Sequence, residues 1–181
     1  LAGRWLSQGH PVWAASRRGT GPGHALQMDV SNATSVGQGI ARIWAEGHGL
    51  DVVVHAAGPQ GEIDWIGSAT PQAWWATVEA NLLGAFNVMQ QALPLLRSNR
   101  NAPSKFFAFS GGGATGARSK FSAYGVAKAG VVRLIEMADV EEREQQTGAV
   151  SKVSFYAIAP GALPTAMTQE VVSLPVGLVS E

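Results

Sequence analysis

The segment Phe121-Ser-Ala-Tyr-Gly-Val-Ala-Lys-Ala-Gly130 places Tyr124 four residues before Lys128. On a helix, residues with this spacing lie on one face, one turn apart. An ammonium beside a phenol favours the phenolate, so the spacing predicts a tyrosine with a lowered pKa. Such a phenol can donate or accept a proton at a carbonyl or alcohol oxygen. A half-buried tyrosine and a solvated lysine on an ordinary helix would show the same spacing, so the flanking sequence must decide.

Three further segments stand in a fixed order around this pair. Asn81 lies in Val78-Glu-Ala-Asn-Leu-Leu-Gly-Ala-Phe-Asn87, an apolar run over 105–109 ends at Ser110, and Ala159-Pro-Gly-Ala-Leu-Pro-Thr165 follows another apolar run. In this order of asparagine, serine, Tyr-x-x-x-Lys and Pro-Gly, the sequence resembles the short-chain dehydrogenase/reductase family. The resemblance extends over nearly the whole chain, and it implies an NAD(P)-binding domain.

Helix and strand patterns alternate along the chain. Short apolar or β-branched runs predict strands over 11–16, 26–30, 51–55, 105–110 and 153–158. Helical spacing and capping residues predict helices over 1–8, after Ser31, over 71–99 behind Thr70, and over 121–146. Pro94 predicts a kink in the third of these helices or an early end to it. The alternation predicts a three-layer α/β fold, a Rossmann-like doubly wound parallel sheet.

The two ends of the sequence depart from that plan. With no repeat or linker, residues 1–181 are expected to form one partial Rossmann-type domain. A doubly wound nucleotide-binding fold opens with a strand, a glycine-rich turn and a helix. This sequence opens in a segment typical of that first helix and stops shortly after Pro160-Gly161. We therefore expect a fold truncated at both ends, with backbone groups left unpaired where the first strand would lie.

Composition argues against several other classes of protein. Hydrophobic residues make up 46% of the chain and charged residues 14%, as in a compact globule. The net charge is zero, which implies no broad attraction to nucleic acid or to an anionic membrane. There is no cysteine for a disulfide or thiolate site, and we expect no metal. Without an apolar run of about 18 residues or a basic leader, a cytoplasmic protein is expected.

The first predicted strand, over 11–16, corresponds to the second strand of a complete doubly wound fold, and the residues that follow it bear on the choice of cofactor. An acid at the end of the second strand of this fold would bind the ribose hydroxyls of NAD. Here that strand ends in Ser16-Arg17-Arg18, with no acid. Two guanidiniums suit a 2′-phosphate, so Arg17 and Arg18 predict NADP(H) over NAD(H). Solvated arginines without a ligand are the alternative.

The resemblance implies further cofactor contacts. Asp29, with Val30 beside it, would touch the adenine. Ala56, Ala57 and Gly58 would let the backbone approach the cofactor. Pro160, Gly161 and Thr165 would lie at the nicotinamide end, although Thr165 could equally be a helix cap. The family more often has asparagine where this chain has His55, which we interpret as a structural hydrogen-bond donor.

The resemblance also implies the catalytic roles. Tyr124 would be the general acid or base, Lys128 would lower its pKa and bind the nicotinamide ribose, and Asn81 would hold a proton-relaying water. The substrate-polarising serine of the family usually stands thirteen residues before the tyrosine, where this chain has Gly111; Ser110 stands fourteen before it. We predict Ser110 for this role. Ser119 and Ser122 are alternatives, although Ser122 is also placed to cap the helix.

A second glycine motif in the sequence could be mistaken for the dinucleotide fingerprint. Gly111-Gly-Gly-Ala-Thr-Gly116 matches G-x-G-x-x-G, but residues 117–120 separate it from the next helix and no acid follows at a strand end. We interpret it as a substrate-side loop.

Several functions therefore remain open. The leading hypothesis is a dehydrogenase or reductase for a carbonyl or secondary alcohol, of the 3-oxoacyl, sugar or small-ketone class. A non-catalytic binding or assembly subunit of the same fold is the alternative, and a methyltransferase is a weaker one. The resemblance implies a homo-oligomer, a dimer or tetramer, formed through the helices over 70–99 and 121–146. Trp65, Trp74 and Trp75 could line a pocket, but they fit a core or an interface better.

Overall fold

The computed structural model describes residues 1–47, 49–99, 102–145 and 152–161. Five α-helices and five β-strands are described there, with a π-helical segment and a short 3₁₀ turn. In chain order they are α1 (Ala2–Ser7), β1 (Trp13–Ser16), β2 (His24–Gln27), α2 (Ala33–Glu46), β3 (Val52–His55), α3 (Pro71–Val78), the π segment (Glu79–Leu83), α4 (Gly84–Ser98), β4 (Ser104–Phe109), the 3₁₀ turn (Gly112–Ala114), α5 (Ser122–Gln145) and β5 (Val153–Ile158).

The strands form two parallel sheets. β1 pairs with β2, and β4 lies between β3 and β5, with His55 opposite Ala108 and Phe106 opposite Phe155. Helices flank these sheets, which confirms the predicted Rossmann-like α/β fold. Within the described residues, β1 and β3 each pair along one edge only. In a doubly wound sheet with strand order 3-2-1-4-5-6, β1 and β3 correspond to strands 2 and 4. Their unpaired edges are the two edges that flank strand 1 in that order.

One hydrophobic core joins the helices to both sheets. Phe106 in β4 is fully buried among side chains of α2, α4 and α5. Those side chains recur at helical spacing, which is why each helix buries one face. They include Val36, Ile40 and Ile43 of α2, Val88, Ala92 and Leu96 of α4, and Val131 and Ile135 of α5. The core fixes β3, β4 and the start of α5 relative to one another, and these elements carry the candidate site.

The helix predicted over 71–99 is interrupted. Thr70 caps its start by accepting a hydrogen bond from the Ala73 N–H, and the run continues past Pro94 to Ser98. Between α3 and α4, the backbone widens into the π segment, which contains Asn81. Apolar spacing alone did not predict this change. Single π turns inside α-helices are frequent at functional sites.

Two local predictions around β2 were wrong. The strand predicted over 26–30 runs over 24–27 instead, because the Asp29 carboxylate accepts hydrogen bonds from the Ser31 N–H and hydroxyl and so turns the chain. The cap of α2 is Asn32, not Ser31, since the Asn32 side chain accepts the Ser35 N–H at 3.0 Å. Within the described residues, no helix has the length and apolarity needed to cross a bilayer.

Candidate active site

The predicted catalytic residues meet where β3 and β4 end. Ser110 directly follows β4, and His55 is the last residue of β3. Tyr124 and Lys128 come from the first turns of α5, and Asn81 comes from the π segment. In open parallel sheets, ligands bind outside the carboxyl ends of the strands, and this cluster lies at that edge.

Lys128 is buried and its ammonium has a fixed partner. Nζ donates a hydrogen bond to the carbonyl oxygen of Phe109 at 2.9 Å. Only 5% of the residue is exposed, and burial lowers the Lys128 pKa to about 8. The ammonium is thus held on a backbone carbonyl that no side-chain pattern in the sequence could indicate.

Tyr124 is half-buried on the same face of α5, with its ring centroid 5.5 Å from Lys128 Nζ. Burial raises the pKa of the Tyr124 phenol above its usual value. The predicted lowering of this pKa was therefore wrong. The physical reason is that desolvation outweighs the attraction of an ammonium that points to the Phe109 carbonyl.

Asn81 is fully buried and only partly satisfied. Its Nδ2 donates to the carbonyl oxygens of Pro59 at 2.8 Å and Thr77 at 2.9 Å, while Oδ1 has no hydrogen-bond partner among the described residues. Gly58 lies against that oxygen: a Cβ at Gly58 would overlap Asn81 Oδ1 and come within 3.4 Å of Lys128 Nζ. The bare backbone of Gly58 therefore allows an unpaired acceptor and an ammonium to face the same small space. A buried polar atom without a partner is costly, so this oxygen fits a bound water or ligand.

His55 is buried beside the same lysine. Its pKa falls to about 4, first because of burial and second because of the Lys128 charge. Its Nε2 has no hydrogen-bond partner in the described part of the chain, so the predicted donor role is not met at this nitrogen. His55 is consequently a neutral imidazole close to Lys128.

The predicted serine, Ser110, is followed directly by a glycine that lies against Tyr124. Ser110 is buried, and its N–H donates to the Ile158 carbonyl at 2.8 Å. Gly111 is the residue that lies against Tyr124: a Cβ there would stand 2.8 Å from the phenol oxygen. Of the alternative serines, Ser119 is exposed, whereas the Ser122 hydroxyl accepts a hydrogen bond from the Trp74 indole at 3.1 Å. The role of Ser110 stays a prediction.

The predicted adenosine contacts lie after β1 and β2. Arg17 and Arg18 are exposed, and neither forms an ion pair within the described residues. The Asp29 pKa is lowered by the two hydrogen bonds from Ser31 and, to a smaller extent, by the charge of Arg17. The Val30 carbonyl accepts a hydrogen bond from Asn87 in α4 at 2.9 Å. The charge of Arg17 thus acts at the Asp29 carboxylate.

The remaining predicted contacts are backbone positions. Ala56 and Ala57 are exposed beyond β3, and Pro160 and Gly161 are exposed beyond β5. Gly161 has φ 74°, a conformation that favours glycine. Thr165 lies outside the described residues.

Two alternative site types find no support in the described residues. Helix α5 begins at Ser122, not at Gly116, so the glycine run 111–116 is a loop as predicted and does not open a helix. No group of three or more histidine, aspartate and glutamate side chains there could hold a metal ion. The ammonium of Lys128 and the unpaired Asn81 Oδ1 can bind hydroxyl groups, and the guanidiniums of Arg17 and Arg18 can bind phosphate, so these residues fit a nicotinamide dinucleotide.

Comparisons with known proteins identify the family of the chain. The family model for short chain dehydrogenases matches residues 8–174, so the chain belongs to the short chain dehydrogenase family. It is 31% identical over 140 residues to the short chain dehydrogenase mpl6 of Monascus purpureus, covering 77% of this chain and 45% of that protein. It is 32% identical over 142 residues to the 2,3-dihydro-2,3-dihydroxybenzoate dehydrogenase of Escherichia coli, covering 77% and 53%. The chain spans about half the length of these curated relatives.

Solved structures share the fold at low sequence identity. The ligand-free aldohexose dehydrogenase of Thermoplasma acidophilum superposes with a TM-score of 0.85 at 22% identity, covering 97% of this chain and 66% of that one. A gluconate 5-dehydrogenase from Burkholderia cenocepacia, in complex with NADP and tartrate, gives 0.76 at 19% identity, covering 96% and 60%. These likenesses establish the fold.

Proposed function

We propose that this protein is an NADP(H)-dependent oxidoreductase that acts on a carbonyl or secondary alcohol of the 3-oxoacyl, sugar or small-ketone class. The observation that carries the proposal is the convergence of Tyr124, Lys128 and Asn81 at one end of β3 and β4. Three polar groups from two separate segments, the π segment and α5, are buried or half-buried together there, at a free-energy cost that a functional site would explain.

Each side chain of the site has its own role in the proposed reaction. When bound, the nicotinamide supplies or receives the hydride. The Tyr124 phenol donates its proton to the reacting oxygen in reduction and accepts it in oxidation. The raised pKa of Tyr124 keeps the proton on the phenol in the protein without a ligand, which suits reduction. Lys128 would hold ribose hydroxyls, and Asn81 Oδ1 would accept a hydrogen bond from a water that carries protons onward.

Ser110 is proposed as the second donor to the reacting oxygen. A hydroxyl can polarise a carbonyl by hydrogen bonding while the phenol transfers the proton. Ser110→Ala is expected to lower turnover with the KM nearly unchanged, since the donor acts most strongly as charge develops on the oxygen. Unchanged turnover would remove Ser110 from the mechanism.

The cofactor proposal rests on Arg17 and Arg18. Both are exposed and without ion pairs in the described residues, at the end of the strand where the adenosine ribose is bound in this fold. The gluconate 5-dehydrogenase that shares the fold holds NADP. Asp29 and Val30 would line the adenine side, and Gly58, Pro160 and Gly161 would offer backbone.

The two tyrosines of the chain give a matched test of the function. Tyr124 and Tyr156 are the only tyrosines in the sequence, and Tyr156 is an exposed residue of β5 that stacks on Phe107. Tyr124→Phe is expected to abolish NADPH-dependent reduction over a panel of ketones and aldehydes, whereas Tyr156→Phe keeps it. NADPH binding by a wild-type chain without turnover on any carbonyl would favour the non-catalytic alternative.

We also propose that the protein forms a homo-oligomer through an apolar groove. The groove is lined mainly by apolar side chains of α3, the π segment, α4 and α5: Trp75, Val78, Glu79, Leu82, Leu83, Phe86 and Leu134. Trp75 is 57% exposed and Phe86 is 42% exposed, although large apolar side chains are normally buried away from water. A second copy is the occupant that the resemblance implies. Light scattering should show a dimer or tetramer, and Phe86→Glu should yield a monomer that still binds NADPH; a monomeric wild type would refute the proposal.

A further inference from the structure

The Lys128 ammonium extends the hydrogen-bonding ladder of the sheet at the point where β3 ends. The Ser110 N–H donates to Ile158 of β5, and it belongs to the same trans peptide unit as the Phe109 carbonyl. The N–H and the carbonyl of such a unit point in opposite directions, so the Phe109 carbonyl points to the β3 side. Its oxygen accepts a hydrogen bond from Lys128 Nζ at 2.9 Å. Since β3 has already ended at His55, the ammonium takes the place of the backbone N–H that a longer β3 would supply.

The residues after β3 leave a small polar space beside this ammonium. Gly58 has φ 152°, a conformation that favours glycine, and the Pro59 carbonyl accepts a hydrogen bond from Asn81. A Cβ at Gly58 would overlap Asn81 Oδ1 and would stand 3.4 Å from Lys128 Nζ. The amide oxygen and the ammonium are therefore close enough for one molecule of the size of water to contact both.

Buried polar atoms without partners are concentrated around this space. Within the described residues, three such side-chain atoms occur, namely His55 Nε2, Gln60 Nε2 and Asn81 Oδ1. His55 and Gln60 stand at the two ends of the segment that leaves β3, and Asn81 is bonded to that segment through Pro59. All three side chains are more than nine-tenths buried. Because each unpaired buried group is unfavourable, their concentration in one region indicates a built site.

The hydrogen-bonding groups around the space complement those of a water molecule. Lys128 supplies a cationic donor, and a water bound to an ammonium turns its oxygen toward the charge and its hydrogens away. Asn81 offers Oδ1 as an acceptor, because its Nδ2 already donates to Pro59 and Thr77. His55 is a neutral imidazole on which the Lys128 charge acts, and its Nε2 is an acceptor when the ring proton is on Nδ1. One donor and two acceptors give the three hydrogen bonds that a buried water typically makes.

We propose that the space beyond β3 is an internal water site and that His55 is its positioning residue, because the imidazole Nε2 accepts a hydrogen bond from the water that joins Lys128 to Asn81. The inference rests on the proposed oxidoreductase function and adds a residue to it. A water with both hydrogens bound cannot turn, so it fixes the ammonium relative to the Tyr124 ring, whose centroid is 5.5 Å away. His55 thus acts on the reaction through Lys128 and does not touch the substrate.

The first test compares His55→Leu with His55→Gln. Leucine fills similar space without an acceptor, whereas the amide oxygen of glutamine can reach the position of Nε2. In His55→Leu, kcat for carbonyl reduction is expected to fall about tenfold or more with KM nearly unchanged, since a misplaced catalytic group lowers turnover and not substrate binding. His55→Gln is expected to recover most of that loss.

Urea unfolding at pH 7 gives the folded fraction of each variant, so that kcat is expressed per folded molecule. In an active protein, an equal kcat in wild type and His55→Leu would overturn the role of His55. An equal loss of kcat in His55→Leu and His55→Gln would overturn it as well, because the acceptor would then make no difference.

A second readout needs neither substrate nor cofactor. Nitrogen-15 NMR distinguishes a protonated imidazole nitrogen from a bare one, and the His55 signals are those missing from the spectrum of His55→Gln. At pH 7 the ring is expected to be neutral, with its proton on Nδ1 and a bare Nε2 that accepts a hydrogen bond. A proton on Nε2 would overturn the role of His55 whatever the activity. A wild type inactive on every carbonyl tested would overturn the proposed function, and with it the effect on turnover, while the NMR result still decides whether His55 is the acceptor of the water site.

Discussion

The Lys128 ammonium lies 5.5 Å from the centroid of the Tyr124 ring, on the same face of α5. Two effects act on the phenol at that distance. The positive charge favours the phenolate, and burial favours the neutral phenol. Burial prevails, because the Tyr124 pKa is raised. The lysine is itself poorly solvated, and its hydrogen bond to the Phe109 carbonyl directs the ammonium to the backbone. Burial in this site therefore favours the neutral phenol of Tyr124.

The first prediction concerns Lys128 and alkaline pH. Its pKa is about 8 in the folded protein and 10.5 as the ordinary value, so below pH 8 folding must bury a charged group that prefers water. The unfolded chain binds more protons between these values, so the free energy of unfolding should rise with pH there, by on the order of 3 kcal/mol. In Lys128→Met this rise should disappear. Parallel urea-unfolding profiles for the two proteins from pH 7 to about 9.5, below the ordinary pKa of a phenol, would contradict the prediction.

The second prediction concerns His55 and acid pH. Its folded pKa of about 4 lies below the ordinary 6.5, so the unfolded chain binds more protons between these values. The stability of the folded protein should therefore fall as pH drops from 6.5 to 4, by on the order of 3 kcal/mol from this group alone. His55→Asn should weaken that dependence, because an amide does not titrate. Denaturant unfolding at pH 7 and pH 4.5 tests it, and an equal loss in both proteins would show that other groups cause it.

How far the sequence predicts this site can be judged from the residues themselves. The pairing of Tyr124 with Lys128 followed from helical spacing, and the parallel α/β fold followed from apolar strands that alternate with helices. Both depend on local periodicity, which a sequence displays directly. The boundary of β2 and the cap of α2 were wrong because Asp29, Ser31 and Asn32 are all good turn or cap formers. Local hydrogen bonding, and not residue type, decides among them.

What the sequence could not predict depends on contacts between distant segments. The Phe109 carbonyl that holds Lys128 is a backbone atom and leaves no pattern in the sequence. The contact of Gly58 with Asn81 requires the π segment, whose position apolar spacing did not reveal. The direction of the Tyr124 pKa depends on burial, a property of the assembled fold. In each case the missing information was the distance between segments far apart in the chain.

The third prediction compares two glycines of the chain. A Cβ at Gly58 would overlap Asn81 Oδ1, whereas one at Gly67 would meet nothing within 4 Å. Gly58→Ala is therefore expected to lower the free energy of unfolding by about 1–3 kcal/mol, the usual cost of overpacking. It should also displace Asn81 from its bonds to Pro59 and Thr77 and reduce NADPH turnover. Gly67→Ala should stay within about 0.5 kcal/mol of wild type. Similar melting curves for the two variants would mean that the Gly58 contact is not tight.

The last prediction concerns the cofactor. If Arg17 and Arg18 bind the 2′-phosphate, their joint replacement by alanine removes charge-assisted hydrogen bonds of about 1.5–3 kcal/mol each from NADPH and none from NADH. The Kd for NADPH should then rise by about a hundredfold or more, while the Kd for NADH changes little, as followed by nicotinamide fluorescence. Arg42→Ala is the matched control, since Arg42 is an exposed arginine of α2 that pairs with Glu46. A loss of affinity equal for both dinucleotides would assign the arginines to the shared pyrophosphate or to folding. An unchanged Kd for both would leave them as solvated surface charges, and the preference for NADP(H) would have to come from other residues.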